Sequence, residues 1–175
     1  MKTLLVVPET RPLVILAVLL GLGTIAFMVF FLLHDKSLPT YSVIQYELAG
    51  TAQHARAMFN AWQTAGQALV RQSLYIDFAF MPVYALAFAA LTLLAARAAL
   101  GGAQTWGLWL ALAPFAAWAF DIVENIGLLV ALRRPESPSA MALAVSATAS
   151  RLKFGLLGLS AFSCLGVTIQ RLVTR

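Results

Sequence analysis

Trp118-Ala119-Phe120-Asp121-Ile122-Val123-Glu124-Asn125-Ile126-Gly127 is the stretch on which the fold turns. It lies inside an otherwise apolar run from Trp106 to Leu132, long enough as a helix to cross a hydrocarbon core of about 30 Å. Helical spacing puts Asp121, Glu124 and Asn125 on one face, with Trp118 one turn earlier. Carboxyl groups at that depth are costly in contact with lipid, so their face turns toward other helices or a wet cavity.

Outward from this run, the composition is of one kind. Of 175 residues, 61% are hydrophobic and 11% charged, where a soluble domain carries about a quarter charged residues. The reading is an all-α polytopic membrane protein in a single domain, residues 1–175, built as a four-transmembrane-helix bundle. The expected spans are roughly residues 13–33, 74–96, 106–132 and 152–173. The first, between the basic lead Met1–Arg11 and His34, resembles a secretory signal. It exceeds the length of an h-region and has no small-x-small site after it, so it is read as a retained span.

Residues 41–70 form a polar connection in which Ile44, Leu48, Ala52, Ala55, Phe59, Trp62 and Leu69 recur at three, four or seven positions. That is an amphipathic helical segment, with breaks expected near Gly50 or Gly66. Three readings stand for it: a helix on the membrane surface with Trp62 at the interface, a lid that turns Glu47 and His54 inward, or a small solvent-facing subdomain. Pro82 and Pro114 are expected to kink spans two and three. Ser137 or Ser139 can cap the last helix, with proline early in its first turn. Gly155, Gly158 and the alanines around 111–119 suit close helix packing. Trp106 and Trp109 suit interfacial anchoring.

The net charge of +5 comes from basic residues at the ends of apolar runs, a membrane pattern that gives no reason to expect nucleic acid as a partner. Cys164 is the one cysteine, which excludes an intramolecular disulfide and Cys-x-x-Cys chemistry. Asp121-x-x-Glu124 lacks the Glu-x-x-His pattern of di-iron bundles and His34 and His54 lie in a connection, so neither a metal nor another cofactor is expected. Triads and glycine-rich phosphate loops are absent. Multi-pass insertion with the termini inside follows from the basic lead before span one.

Four spans bring the long connections 34–73 and 133–151 to one side. At 1.5 Å per residue, Asp77 then lies about 5 Å inside the second span, Glu124 about 12 Å and Asp121 about 16 Å inside the third. Arg151 and Lys153 stand at the same mouth and are the available partners for the acids, with Asn125 supplying donors and an acceptor.

Phe120-Asp121-Ile122-Val123-Glu124-Asn125, with Tyr75-Ile76-Asp77-Phe78-Ala79-Phe80 before it, resembles uncharacterised small bacterial four-helix membrane proteins over most of the chain. The likeness implies a bacterial inner membrane and carries no activity with it. In layout the chain is also similar to the EXPERA group, which includes the sigma-2 receptor and sterol isomerases. That likeness implies acids within the bundle that meet amine or sterol ligands, with Asp77 the closest counterpart.

Two functional classes follow. In one, the protein binds, and in a stronger form modifies, a membrane lipid or other amphiphilic small molecule. Asp121 and Glu124 would then be polar anchors or the catalytic proton donors, with Asp77, Asn125 and Lys153 supporting them and Trp118 and Phe80 lining the apolar part. In the other, it is a non-enzymatic assembly or scaffold subunit, as a homodimer or with a partner membrane protein, and its acids are a structural polar knot. A proton- or cation-coupled small transporter is a third reading.

Overall fold

The computed structural model describes residues 2–173. After a short 3-10 turn at Lys2–Leu5 come α1 (Thr10–Asp35), α2 (Val43–Glu47), α3 (Ala52–Ala98), α4 (Gly102–Leu110), α5 (Ala113–Leu132) and α6 (Ala140–Val173). No strand occurs among the described residues. Four helical runs are long and apolar enough to span a bilayer: Thr10–Asp35, Ala52–Ala98, Gly102–Leu132 and Ala140–Gln170. The protein is an all-α four-helix membrane bundle.

Three boundaries differ from the sequence reading, each for a local reason. The third span is divided into α4 and α5 at Ala111–Leu112. Pro114 has no N–H to give the carbonyl of Leu110 and its ring crowds that carbonyl, so α4 stops and Pro114 sits in the first turn of α5. Pro82, by contrast, lies inside α3 without interrupting it. The break in α3 is at Gln63, with φ 52° and ψ −167°, rather than at Gly66.

The connection 41–70 is the larger revision. It comprises α2, a short helix of its own, and the first part of α3, a helical segment set off from the second span by the break at Gln63. Gly50, at φ 63°, makes the turn between them, a conformation that costs glycine little. That turn resets the helical register, so Ile44 and Leu48 face outward while Tyr46 is buried. Of the residues of that pattern in α3, Ala55, Phe59 and Trp62 are buried and Ala52 and Leu69 only half-buried; Met58 before the break at Gln63 and Val70 and Leu74 after it join the same core. Trp62 is therefore a core residue, 2% exposed, with its indole N–H donating to Tyr41 O at 2.9 Å.

By packing the chain forms two compact units. The first comprises Met1–Ile25, Pro82–Trp118 and Phe154–Arg175; the second comprises Ala26–Met81 and Ala119–Lys153. The core of the first is Leu13, Ala17, Ala90, Leu93, Ala96, Leu108 and Ala111. The core of the second gathers Tyr46, these buried residues of α3, Leu128, Ala131, Leu132 and Leu143.

Candidate functional site

The polar residues of the second unit meet at Lys153 of α6. Its Nζ lies 2.8 Å from Glu124 Oε2, 3.0 Å from Asp121 Oδ1 and 3.7 Å from Glu47 Oε2. These side chains are almost withdrawn from solvent: 7% exposed for the lysine, and 0%, 2% and 12% for Glu124, Asp121 and Glu47. One ammonium thus ties three carboxyl groups from α2 and α5 to α6.

Each member is positioned by its own element. On α5 the one-face spacing of Asp121, Glu124 and Asn125 holds, and all three are buried. Asn125 donates from Nδ2 to Asp77 Oδ2 at 2.8 Å and to Leu74 O at 3.2 Å, binding α5 to α3 and fixing the fourth carboxyl group. On α6, Ser146, Ser150 and Lys153 share one face. The Ser146 hydroxyl lies 3.0 Å from Glu124 O and 2.9 Å from Ala142 O, so its one proton serves either carbonyl. The close approach of α5 and α6 needs Gly127, since a Cβ there would fall on Ser146 Oγ. Ser139 caps α6, accepting from Ala142 N at 3.3 Å, as the sequence reading allowed.

Glu47 arrives from α2, whose start carries a reciprocal capping box. Ser42 Oγ accepts from Gln45 N at 3.2 Å and Gln45 Oε1 accepts from Ser42 N at 2.9 Å. Asp35 Oδ1 accepts from Val43 N at 2.8 Å. The neighbouring Tyr46 is fully buried, donates its hydroxyl to Leu128 O at 2.8 Å and stands edge-on to Trp62. Burial pushes the Tyr46 phenol well up and keeps it neutral. Burial is also the main reason the Glu47 carboxyl is raised, with the Asp121 charge adding to it; Lys153 and hydrogen bonding with Glu124 and Lys153 act the other way.

Of the seven residues proposed for the site, Asp77, Asp121, Glu124, Asn125 and Lys153 come together. Phe80 is half-buried among aromatic rings, its centroid 5.3 Å from Phe27 and 5.6 Å from Phe31. Trp118 is half-buried and belongs to the first unit. Arg151, expected beside Lys153, is exposed, and so is His54. Gly155 and Gly158, expected at close helix contacts, have open space where a Cβ would stand.

Glu47 turns inward as the lid reading of the connection has it, without His54, while Ser146 and Ser150 are not singled out by the sequence reading. Their signals were present: Ser42-x-x-Gln45 announces a helix that sets Glu47 beside buried Tyr46, and Ser146-x-x-x-Ser150-x-x-Lys153 is a one-face polar row. Asn125 Oδ1 and Ser150 Oγ are buried polar atoms that find no hydrogen-bond partner among the described residues. Glu124 Oε2 is the oxygen that pairs with Lys153 Nζ at 2.8 Å. No cluster of three or more His, Cys, Asp or Glu side chains suited to a metal ion occurs among the described residues.

Two shallow grooves lie elsewhere. One, of about 370 Å³, is lined by Val123, Ile126, Gly127, Met141 and Val145 among others. The second, of about 220 Å³, runs past Ala96, Trp106, Gly107 and Val167. None of the clustered acids lines either groove. No known protein family, curated protein or solved structure matches this chain.

Proposed function

We propose that this integral membrane protein is a non-enzymatic helical subunit in which the buried acids and Lys153 form a structural lock. The observation that carries this reading is the ammonium of Lys153 within 2.8–3.7 Å of carboxyl groups on two other helices, all four side chains nearly sealed from solvent. Ions taken out of water cost several kcal/mol each, roughly, and are tolerated where they satisfy one another. Once paired, they specify which helix faces meet, because any slip in register strands a charge. Asn125 extends the same lock to α3 through Asp77. The apolar outer faces of α1 and α6 remain for lipid, a second copy or a partner membrane protein.

A second reading, binding of a lipid or other amphiphile at the acids, draws on the unpartnered Asn125 Oδ1 and Ser150 Oγ, polar atoms that a ligand group would satisfy. The deciding experiment is mass spectrometry of small molecules that co-purify with the protein, alongside thermal unfolding, for wild type and Asp121→Asn. The lock predicts a lowered midpoint and an unchanged lipid inventory. A single amphiphile lost from the variant would overturn the lock in favour of the second reading.

A further inference from the structure

The larger groove, of about 370 Å³, lies wholly within the second unit and outside its core. Its walls are Val123 and Ile126 of α5 and Met141 and Val145 of α6, all exposed. Between them lie Gly127 and Ala142. There the helices pack so closely that a Cβ on the glycine would meet Ser146 Oγ and stand 3.0 Å from Ala142 O. Ser139, at the end of the loop that joins the two helices, lines the groove as well.

Along α5 the exposed positions Val123, Ile126 and Val130 recur at three and four residues, and Arg133 and Arg134 follow one turn later. The chain keeps to that course, since Arg133 N donates to Val130 O at 3.3 Å and Arg134 N to Ala131 O at 3.4 Å. Both arginines come just after the spanning run Gly102–Leu132, at headgroup level. Both are exposed, and their side chains have no hydrogen bond or ion pair among the described residues. At 1.5 Å per residue, Val123 lies about 16 Å below Arg134, close to one leaflet's share of a hydrocarbon core about 30 Å thick.

This is the outline of a phospholipid: an apolar channel one acyl chain deep, with two guanidiniums at its head that suit a phosphate. The bilayer supplies phosphate at that level without a partner protein. Charge then selects the headgroup. Residues 133–139 set two arginines against one acid, Glu136, and the first turn of α6 has no acidic residue to offset the positive end of its dipole. A headgroup of net negative charge is favoured there over one that carries its own ammonium.

We propose that this groove seats an anionic phospholipid of the surrounding leaflet, its acyl chain between Val123, Ile126, Met141 and Val145 and its phosphate on Arg133 and Arg134. The site is separate from the acid cluster and does not depend on the structural lock.

The test is native mass spectrometry of the full-length protein released from nanodiscs of phosphatidylglycerol and phosphatidylcholine in equal parts. Wild type is expected to keep a phosphatidylglycerol on each chain, at least about fivefold over phosphatidylcholine. Arg133→Gln combined with Arg134→Gln should bring that preference to parity, and Val145→Trp, which fills the groove, should remove the lipid. All three positions are exposed, so these variants leave the core untouched. Asp121→Asn should keep the lipid; its loss from a folded Asp121→Asn protein would move the site to the acids and overturn the proposal. The proposal also fails if wild type shows no preference, if Val145→Trp retains the lipid, or if the preference survives without the arginines. Wild type released as a lipid-free dimer would give the face to a second copy and overturn it too. Phosphatidylglycerol with a photoreactive group on its acyl chain locates the site. Labelling should fall on residues 123–130 and 141–145, and labelling confined to α1 or α3 would refute the assignment.

Discussion

The two units of this protein solve the same problem with different chemistry. In the second, Lys153, Asp121, Glu124, Asn125 and Glu47 are buried together, and helices are joined by short directional contacts. In the first, the core is leucine and alanine, with Gly107 so near Ala96 that an added Cβ would stand 2.8 Å from the alanine Cβ. Its buried polar contacts are mostly hydroxyls bonded within their own helix, such as Thr92 to Phe88 O at 2.7 Å. In a bilayer, apolar side chains gain little by leaving lipid for protein, so helices associate through close packing and polar contacts. The first unit relies on close packing, which depends on shape. The second adds charge, which also specifies the partner face and makes its energetics sensitive to single substitutions.

The sharpest way to break the comparison is Lys153→Met, which leaves its carboxyl groups without their cation. We expect a loss of about 3–5 kcal/mol, read from thermal or denaturant unfolding in detergent. Adding Glu47→Gln, Asp121→Asn and Glu124→Gln to it should recover much of that loss, because the cost lies in stranded charge. A quadruple variant no better than the single one would show that packing, not charge, dominates this unit too.

Glycine substitutions should show what the units share. Gly127→Ala drives its Cβ onto Ser146 Oγ, and Gly107→Ala drives its Cβ against Ala96. Each is expected to cost about 1–3 kcal/mol by overpacking, in the same unfolding assay. Ser146→Ala should relieve Gly127→Ala in part, and a clear inequality between the two glycines would sharpen the contrast. Tyr46→Phe is smaller: removing the hydroxyl that satisfies Leu128 O should cost about 1–2 kcal/mol and lower amide protection in α2 before the rest of the unit. Smallest, and of opposite sign, is Gly155→Ala in α6, where a Cβ meets open space. Helix propensity alone should stabilise it by about 0.5–1 kcal/mol, seen as a slightly raised midpoint.

How far these features can be read from sequence depends on their range along the chain. The shared face of Asp121, Glu124 and Asn125 is a property of one helix and is borne out by burial, whereas of the amphipathic pattern from Ile44 to Leu69 only Ala55, Phe59 and Trp62 are buried, because the turn at Gly50 and the break at Gln63 each reset the register. Trp62 was misplaced because an aromatic ring on an amphipathic helix suits a membrane interface and a protein core equally; only the approach of Tyr46 and Tyr41 makes it core. Arg151 and Lys153 were equivalent as partners until the rotation of α6 turned one outward and the other in.

By itself, then, the sequence determined the class of the protein: apolar runs of spanning length, few charges, and acids on one face of a helix that must turn away from lipid. Those are consequences of helical period and solvation, and both act within one segment. Tertiary structure alone decided among the readings of the connection, turning Glu47 into the cluster and His54 outward, and set Trp118 in the other unit. The turn at Gly50 and the close approach at Gly127 set which side chains from distant segments share a few ångströms. Ionic and packing energies depend on those distances, which local pattern does not encode.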